Sequence, residues 1–255
     1  QNATEEEKKL WRIENLRLWN DKELFEKNIL SLFNDKIDFC VNEILVEDTK
    51  VIGFSVNAGN LLFSIEVAKR INDRDRNRII IFGGPHSKWF KMDINYLEKW
   101  KDIYRGFYPR LVDIFVIGEG ELVLGEILYC LKNDKKIDDI KGIILYKDNK
   151  YLCLGEGAFV GNLNELPYPD FDWADLSKYT EKKIPILMSR GCIRKCRFCN
   201  DIFVSPKYRY RMADNVFREI ILRIEKNKIN KFDFFDLIIN GNVYELERLC
   251  ELIIK

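Results

Sequence analysis

The chain has no stretch of about 18 consecutive apolar residues, the least a membrane-spanning helix needs, and its opening QNATEEEKKL lacks the basic-then-apolar order of a signal peptide. A cytoplasmic protein without a membrane span is expected. Histidine is nearly absent: His86 is the single one, which excludes His-rich metal sites and acid/base work by paired histidines. Nor is charge of one sign in excess. Lys and Arg number 42 against 41 Asp and Glu, so bulk electrostatics gives no reason to expect nucleic acid or an acidic membrane as a partner. Repeats and low-complexity tracts are missing too, and the first residue is Gln1 rather than Met, so the natural N-terminus is expected upstream.

What is present suffices for a core. Hydrophobic residues make up 47% of 255, room for one large domain or two modest ones. Seven cysteines, an odd number in a chain too large to need staples, point to metal ligation or buried thiols rather than a disulfide framework.

Residues 1–50 are charged and helical in spacing, with Leu10, Ile13 and Leu16, then Leu24, Asn28 and Leu32, suggesting two amphipathic helices. From Val51 short apolar runs follow: VIGFSV (51–56), IIIF (79–82), VDIFVIG (112–118) and GIILY (142–146), strand signals of the buried, parallel kind. Helical stretches lie between them, one with Leu61, Ile65 and Ala68 and one over 121–131 with Leu124, Leu128 and Leu131. This alternation predicts an α/β domain over 51–160 with a doubly wound, Rossmann-type sheet. The loops at its strand ends, 57–60, 83–87 and 119–121, then share one rim, where such sheets bind ligands.

A turn-rich linker, 161–180, with Pro167 and Pro169, precedes a second α/β segment, 181–255. It reads as strand IPILMS (184–189), a cysteine loop, a helix from about Asp214 with Val216, Ile220 and Ile224 aligned, and strand FDFFDLII (232–239). A last helix starts at Asn242, with Glu245 completing a capping-box-like pair. Cys40, Cys130, Cys153 and Cys250 read as apolar filler, Cys250 sharing a helical face with Leu246, Leu249 and Ile253.

The decisive stretch runs from Arg190 to Cys199, where Cys192, Cys196 and Cys199 stand at C-x3-C-x2-C spacing directly after a strand. Three thiolates on one tight loop can converge on one centre, and thiolates select zinc or iron-sulfur clusters. Arg190, Arg194, Lys195 and Arg197 would offset the negative charge of such a centre. With three protein ligands, a cubane keeps one iron open. Zinc is the competing reading, with a fourth ligand from Cys153, Cys250 or His86, but zinc sites usually come as paired C-x2-C arms and none is spaced that way here.

At these residues the chain resembles the radical S-adenosylmethionine superfamily, whose C-x3-C-x-aromatic-C loop follows the first strand of a partial β/α barrel of the TIM type. The resemblance implies that Cys192, Cys196 and Cys199 hold a 4Fe-4S cluster. It also implies that the open iron chelates S-adenosylmethionine, that Phe198 packs near the adenine, and that reductive cleavage yields a 5'-deoxyadenosyl radical. An electron donor such as flavodoxin or ferredoxin and a further substrate are implied as partners. The superfamily often carries Gly-Gly-Glu after its second barrel strand to hold the amine of S-adenosylmethionine. This chain has Asn240-Gly241-Asn242 there, which leaves Asp236 as the substitute candidate.

Sheet domain, proline-containing connector and cysteine loop, in that order, resemble the cobalamin-binding branch of the same superfamily. Its sheet is recognised by D-x-H-x-x-G, S-x-L and G-G. Ser55-Val56-Asn57 matches the second in part, Gly83-Gly84 matches the third, and Gly118-Glu119-Gly120-Glu121 resembles a loop common in the branch; D-x-H-x-x-G is absent, so cobalamin would lie there without histidine coordination. Glycines at strand ends let a bulky ligand approach backbone, and helix N-termini offer N–H donors. The resemblance implies cobalamin-dependent methyl transfer or radical rearrangement. A non-catalytic zinc or iron-sulfur module that binds a partner is the alternative. A β/α barrel uses about 30 residues per unit, and only 70 residues run from Ile186 to Lys255. The chain is therefore expected to be a fragment, holding two barrel units and not turning over alone.

Overall fold

Three of the valine- and isoleucine-rich runs pair in parallel: β1 (Val51–Ser55), β2 (Ile79–Gly83) and β3 (Ile114–Val116), with Ile52 opposite Ile80 and Phe82 opposite Phe115. The computed structural model describes residues 18–19, 21–86, 110–199, 205 and 207–255. The helix expected around Leu10, Ile13 and Leu16 lies outside these residues, as does Ser87 of the second rim loop.

The GIILY run forms β4 (Ile143–Lys147), but it is antiparallel to β3 and forms a hairpin with β5 (Lys150–Cys153). The cause is local. Asp148 and Asn149 adopt φ of 50° and 62°, the doubly left-handed turn that matches strand twist and returns the chain at once. Strand order is β1-β2-β3-β4-β5. The described sheet is thus mixed, parallel over β1–β3, without the reversal of strand order on which the doubly wound description rests.

Helices cover both faces. On one, α1 (Ser31–Val46) and α2 (Leu61–Arg74) bring Ile37, Val41, Ile65, Ala68 and Ile71 onto Ile52, Ile80, Phe82 and Phe115. On the other, α3 (Gly120–Lys132) brings Val123, Ile127 and Cys130 onto Ile81, Ile114, Val116, Ile143 and Leu145. The alternation of Ile80, Ile81 and Phe82 between two cores is the pleat at work, each such side chain contributing about 1.5–3 kcal/mol of burial. Two helical faces differ from expectation. A π-helical turn over Phe25–Leu30 shifts the phase ahead of α1, burying Phe25 and Ile29 and leaving Leu32 exposed. In α3 the row Val123, Ile127, Cys130 faces inward, while Leu124 and Leu128, one position round the helix, stay exposed. Among the cysteines read as filler Cys130 is buried, whereas Cys40, Cys153 and Cys250 are exposed.

The chain divides at Phe159/Val160 into two compact units. In the second, β6 (Ile184–Ile186) pairs in parallel with β9 (Phe232–Phe234), joined through the crossover helix α4 (Ala213–Asn227) and followed by α5 (Val243–Ile254). Ile184, Ile186, Met188, Val216, Ile220 and Leu249 form its core, and Ile224 is partly exposed. Both strands are shorter than their apolar runs. After β6 the chain turns into β7 (Ser189–Arg190), which pairs with β8 (Arg209–Tyr210), and after β9 it enters a 3-10 turn at Ile239–Gly241.

The segment expected as a linker is strapped to this second unit. Tyr168 donates from its hydroxyl to the Asn215 carbonyl at 3.1 Å, Lys226 pairs with Asp170 and Asp172, and Arg209 donates to the Val160 carbonyl at 2.7 Å. Arg223, only 2% exposed, donates to the Pro169 carbonyl and lies over the Phe171 ring. At α5, Asn242 Oδ1 accepts the Glu245 N–H at 3.2 Å as the capping pattern predicts. Glu245 does not complete the box. Its carboxylate accepts the Ala213 N–H at 2.6 Å, at the start of α4.

Candidate functional site

In the first unit the strand ends form a cavity of about 330 Å³ lined by Gly53, Phe54, Ser55, Gly83, Gly84, Val116, Gly118, Gly120 and Leu124. Five residues expected at a cofactor site, Ser55, Gly83, Gly84, Gly118 and Gly120, share this wall; Glu119 is the N-cap of α3 and does not line it. A side chain added at Gly53 or Gly118 would meet nothing within 4 Å. The glycines therefore hold space open. Gly84 has another role. Its φ is +89°, and a Cβ there would stand 2.8 Å from the Val56 carbonyl oxygen. Val56 N–H donates to the Gly83 carbonyl at 2.8 Å and His86 N–H to the Val56 carbonyl at 3.1 Å, so the glycine pair fastens the ends of β1 and β2 together.

The turn after β1 is closed by its own amides. Asn60 donates to the Ser55 carbonyl at 2.9 Å and accepts the Asn57 N–H at 2.8 Å, while Asn57 Oδ1 accepts the Gly59 N–H at 2.8 Å. Asn57, which replaces leucine in the S-x-L pattern, thus has a local task. Burial pushes the His86 pKa down, favouring a neutral ring. Gly53 lines the cavity but was not singled out in the sequence, and Leu124, expected on the inward face of its helix, lines it as well. A glycine in mid-strand between apolar residues was the available signal, since it marks close approach of a ligand or backbone.

In the second unit Cys192, Cys196 and Cys199 lie on irregular backbone after β7, with Cys196 exposed. Among the described residues no three His, Cys, Asp or Glu side chains converge as a metal site. The loop nevertheless suits a thiolate-bound centre. Arg194 N–H donates to Cys192 Sγ at 3.3 Å, the kind of backbone contact that supports a ligating sulfur. Gly191, at φ +78°, passes so close to Lys207 and Ser205 that any side chain would collide with their carbonyls, so the base of the loop is pinched shut. Ile193 through Phe198 face solvent, and the Phe198 ring is 90% exposed.

Asp236 does not sit free at a strand end. Its carboxylate accepts the Met188 N–H at 3.2 Å together with the N–H and hydroxyl of Ser189, the hydroxyl at 2.5 Å. Tyr208, unnoticed in the sequence, stands beside Ser189 and the Asn242 backbone. Its ring fills the space where Gly241 would carry a Cβ. Burial pushes the phenol pKa up, against the lowering effect of Ser189 and the Asn242 backbone.

This order, a mixed α/β sheet unit followed by a βαβα unit with a cysteine loop, is similar in fold to solved cobalamin-dependent S-adenosylmethionine radical enzymes, in line with the resemblance seen in the sequence. One solved example is OxsB with aqua-cobalamin and S-adenosylmethionine bound, at TM-score 0.69 and 21% identity over 86% of this chain and 30% of that one. Another is the methyltransferase TsrM from Kitasatospora setae with cobalamin and a [4Fe-4S] cluster bound, at TM-score 0.67 and 15% identity over 94% of this chain and 49% of that one. By sequence the chain is 23% identical over 193 residues to a Pyrococcus horikoshii protein described as an uncharacterized methyltransferase, covering 74% of this chain and 40% of that relative. It is also 23% identical over 188 residues to the anaerobic magnesium-protoporphyrin IX monomethyl ester cyclase of Synechocystis, covering 72% of this chain and 35% of the cyclase. The chain thus spans two fifths or less of these curated relatives. No family model matches it. Among the described residues no helix is long and apolar enough to cross a membrane.

Proposed function

We propose that the protein is a radical S-adenosylmethionine enzyme acting with cobalamin, and that its reaction is methyl transfer to an unactivated carbon. The observation that carries this reading is the C-x3-C-x-Phe-C loop standing after the first strand of a βαβ unit, its base pinched at Gly191. Cys192, Cys196 and Cys199 would hold a 4Fe-4S cluster. A cluster held there would supply the electron for reductive cleavage of S-adenosylmethionine to a 5'-deoxyadenosyl radical. The chain's own residues bind and orient. Arg194, Lys195 and Arg197 balance the charge of the anionic centre, the Arg194 N–H steadies Cys192, and Phe198 offers an exposed ring for the adenine. In the sheet unit Gly53, Gly83, Gly84, Gly118 and Gly120 form a floor without side chains that fits the approach of a corrinoid, and Ser55 supplies a hydroxyl on the same wall.

Anaerobic reconstitution with iron and sulfide tests the reading. About four irons per chain, a brown chromophore, and 5'-deoxyadenosine on reduction with S-adenosylmethionine are expected. Tight zinc without sulfide at the same thiols would replace it with the partner-binding metal module.

A further inference from the structure

Inside the second unit the strapped segment 163–171, β6 and the exit of β9 enclose a cavity of about 320 Å³ that none of the three cysteines lines. Its walls are largely apolar, with Pro167, Pro169 and Phe171 from the strap, Pro185 and Leu187 from β6 and its exit, and Phe235 after β9. Charge enters through Glu219, Arg211 and Arg190.

Arg211 is fixed on several sides. Its Nε donates to Asn215 Oδ1 at 2.8 Å, its Nη1 donates to the Leu187 carbonyl at 3.0 Å and to Glu219 Oε2 at 2.6 Å, and its guanidinium carbon lies 5.5 Å from the centre of the Tyr168 ring. The pair with Glu219 is one-pronged, because Arg211 Nη2 is buried without a partner. Glu219 is 1% exposed, and among the described residues nothing donates to its other oxygen, Oε1. A buried carboxylate oxygen left in this way costs free energy that a donor in the cavity would recover.

Leu187 adds the opposite kind of group. β6 bonds to β9 through the Ile184 N–H and the Ile186 carbonyl, so Leu187 faces the other edge, where its carbonyl meets Arg211. In extended backbone the N–H and C=O of one residue point the same way, and among the described residues no group accepts from the Leu187 N–H. Arg211 Nη1, which touches both Leu187 and Glu219, therefore brings an open donor and an open acceptor to one end of an apolar cavity.

We propose that this cavity is a binding site for a small neutral molecule with an apolar, ring-sized body and an amide edge. The ligand carbonyl accepts from the Leu187 N–H, and its N–H donates to Glu219 Oε1. A volume of about 320 Å³ is near the lower end for ligand pockets, which suits one ring with its amide. Charge selects against close analogues. A carboxylate in that place sets its second oxygen against Glu219, while an ammonium leaves the Leu187 N–H unpaired and stands beside Arg211. The site does not depend on the radical S-adenosylmethionine reading.

Benzamide, benzoate and benzylamine share one ring and differ at this edge, so they serve as probes on the intact protein. In a titration followed by nuclear magnetic resonance, benzamide should shift the Leu187 N–H and saturate, with benzoate and benzylamine at least about tenfold weaker. Glu219→Gln keeps an oxygen for Arg211 and turns an NH2 to the cavity. It should reverse the order, benzoate then binding more tightly than benzamide, which mere loosening of the fold would not produce. Phe235→Ala removes an exposed wall residue and should weaken benzamide about fivefold without changing the order. Absence of a shift at Leu187 up to the solubility limit of benzamide, equal affinity for the three probes, or the parental order in a folded Glu219→Gln overturns the site. Should Glu219→Gln fail to fold, the order of the probes on the parent and the effect of Phe235→Ala decide.

Discussion

The glycine rim follows parallel strands, whereas the cysteine loop follows β7, the short strand antiparallel to β8, and the two differ in how far the polypeptide alone shapes them. The rim is finished by the polypeptide: Val56, Gly83 and His86 are cross-bonded through backbone, and a cavity of about 330 Å³ stands open above glycines. The cysteine loop is anchored at its base by Gly191 and at its entrance by Ser189, while its three sulfurs do not gather. One site is shaped by the fold; the other has a fixed base and entrance, and under the proposed function its sulfurs would be gathered by the cluster. Metal sites of the second kind couple ligation to local ordering.

The largest effect that could break this contrast is removal of the thiols. Cys192→Ala, Cys196→Ala or Cys199→Ala should each abolish the iron chromophore with no loss of corrinoid binding at the rim, and iron binding by the triple variant equal to the parent would end the assignment. Next comes filling of the preformed cavity. Gly53→Leu places a side chain in open space and should weaken hydroxocobalamin binding by about a hundredfold, the loss of roughly 3 kcal/mol of contact, with iron loading untouched; spectral titration showing parental affinity would separate the cavity from the cofactor. Gly84→Ala should destabilise the sheet unit by about 1–3 kcal/mol, because it forces a side chain into φ +89° and against Val56. An unchanged denaturation midpoint would show that the rim yields more readily than its hydrogen bonds imply.

The smallest effect is electrostatic. Asp113, which accepts the Ile80 N–H at 2.7 Å and pairs with Arg110, has its pKa raised chiefly by burial, against those two interactions. A carboxyl held above its unfolded pKa favours the native state most when protonated. Its contribution is complete below the unfolded value and is lost as pH rises through the folded one. Asp113→Asn should therefore match the parent in acid and exceed it slightly at neutral pH, while a gain that grows on acidification would contradict the sign.

The cysteine loop and the strand-end glycines were legible in the sequence as candidate sites because both are written in contiguous residues of restricted type. The silence of the sequence on Gly53 and Tyr208 has a physical cause. What matters about Gly53 is empty space created by three strands, and what matters about Tyr208 is a partner 33 residues away across α4 at Gly241. Asp236 could be found on its strand end, but whether it faced a ligand or the backbone of Ser189 depended on where β6 stopped. The α3 face was misjudged for a simpler reason. Val123, Ile127 and Cys130 run beside an equally apolar row of leucines, and composition alone cannot choose between adjacent rows.

The strap over 160–172 bears on how the protein wears out. Connectors between structural units are ordinarily where proteases enter first, but entry requires the backbone to lift into an extended, accessible form. Here Tyr168, the Pro169 carbonyl, Asp170 and Asp172 are each tied to α4, and the fastening at Pro169 is a buried guanidinium that would have to be dragged into solvent. Limited digestion should consequently nick the exposed run Ile193–Phe198 before it severs the strap, and a cluster-loaded protein should lose that early cut while its strap stays as slow to yield as before.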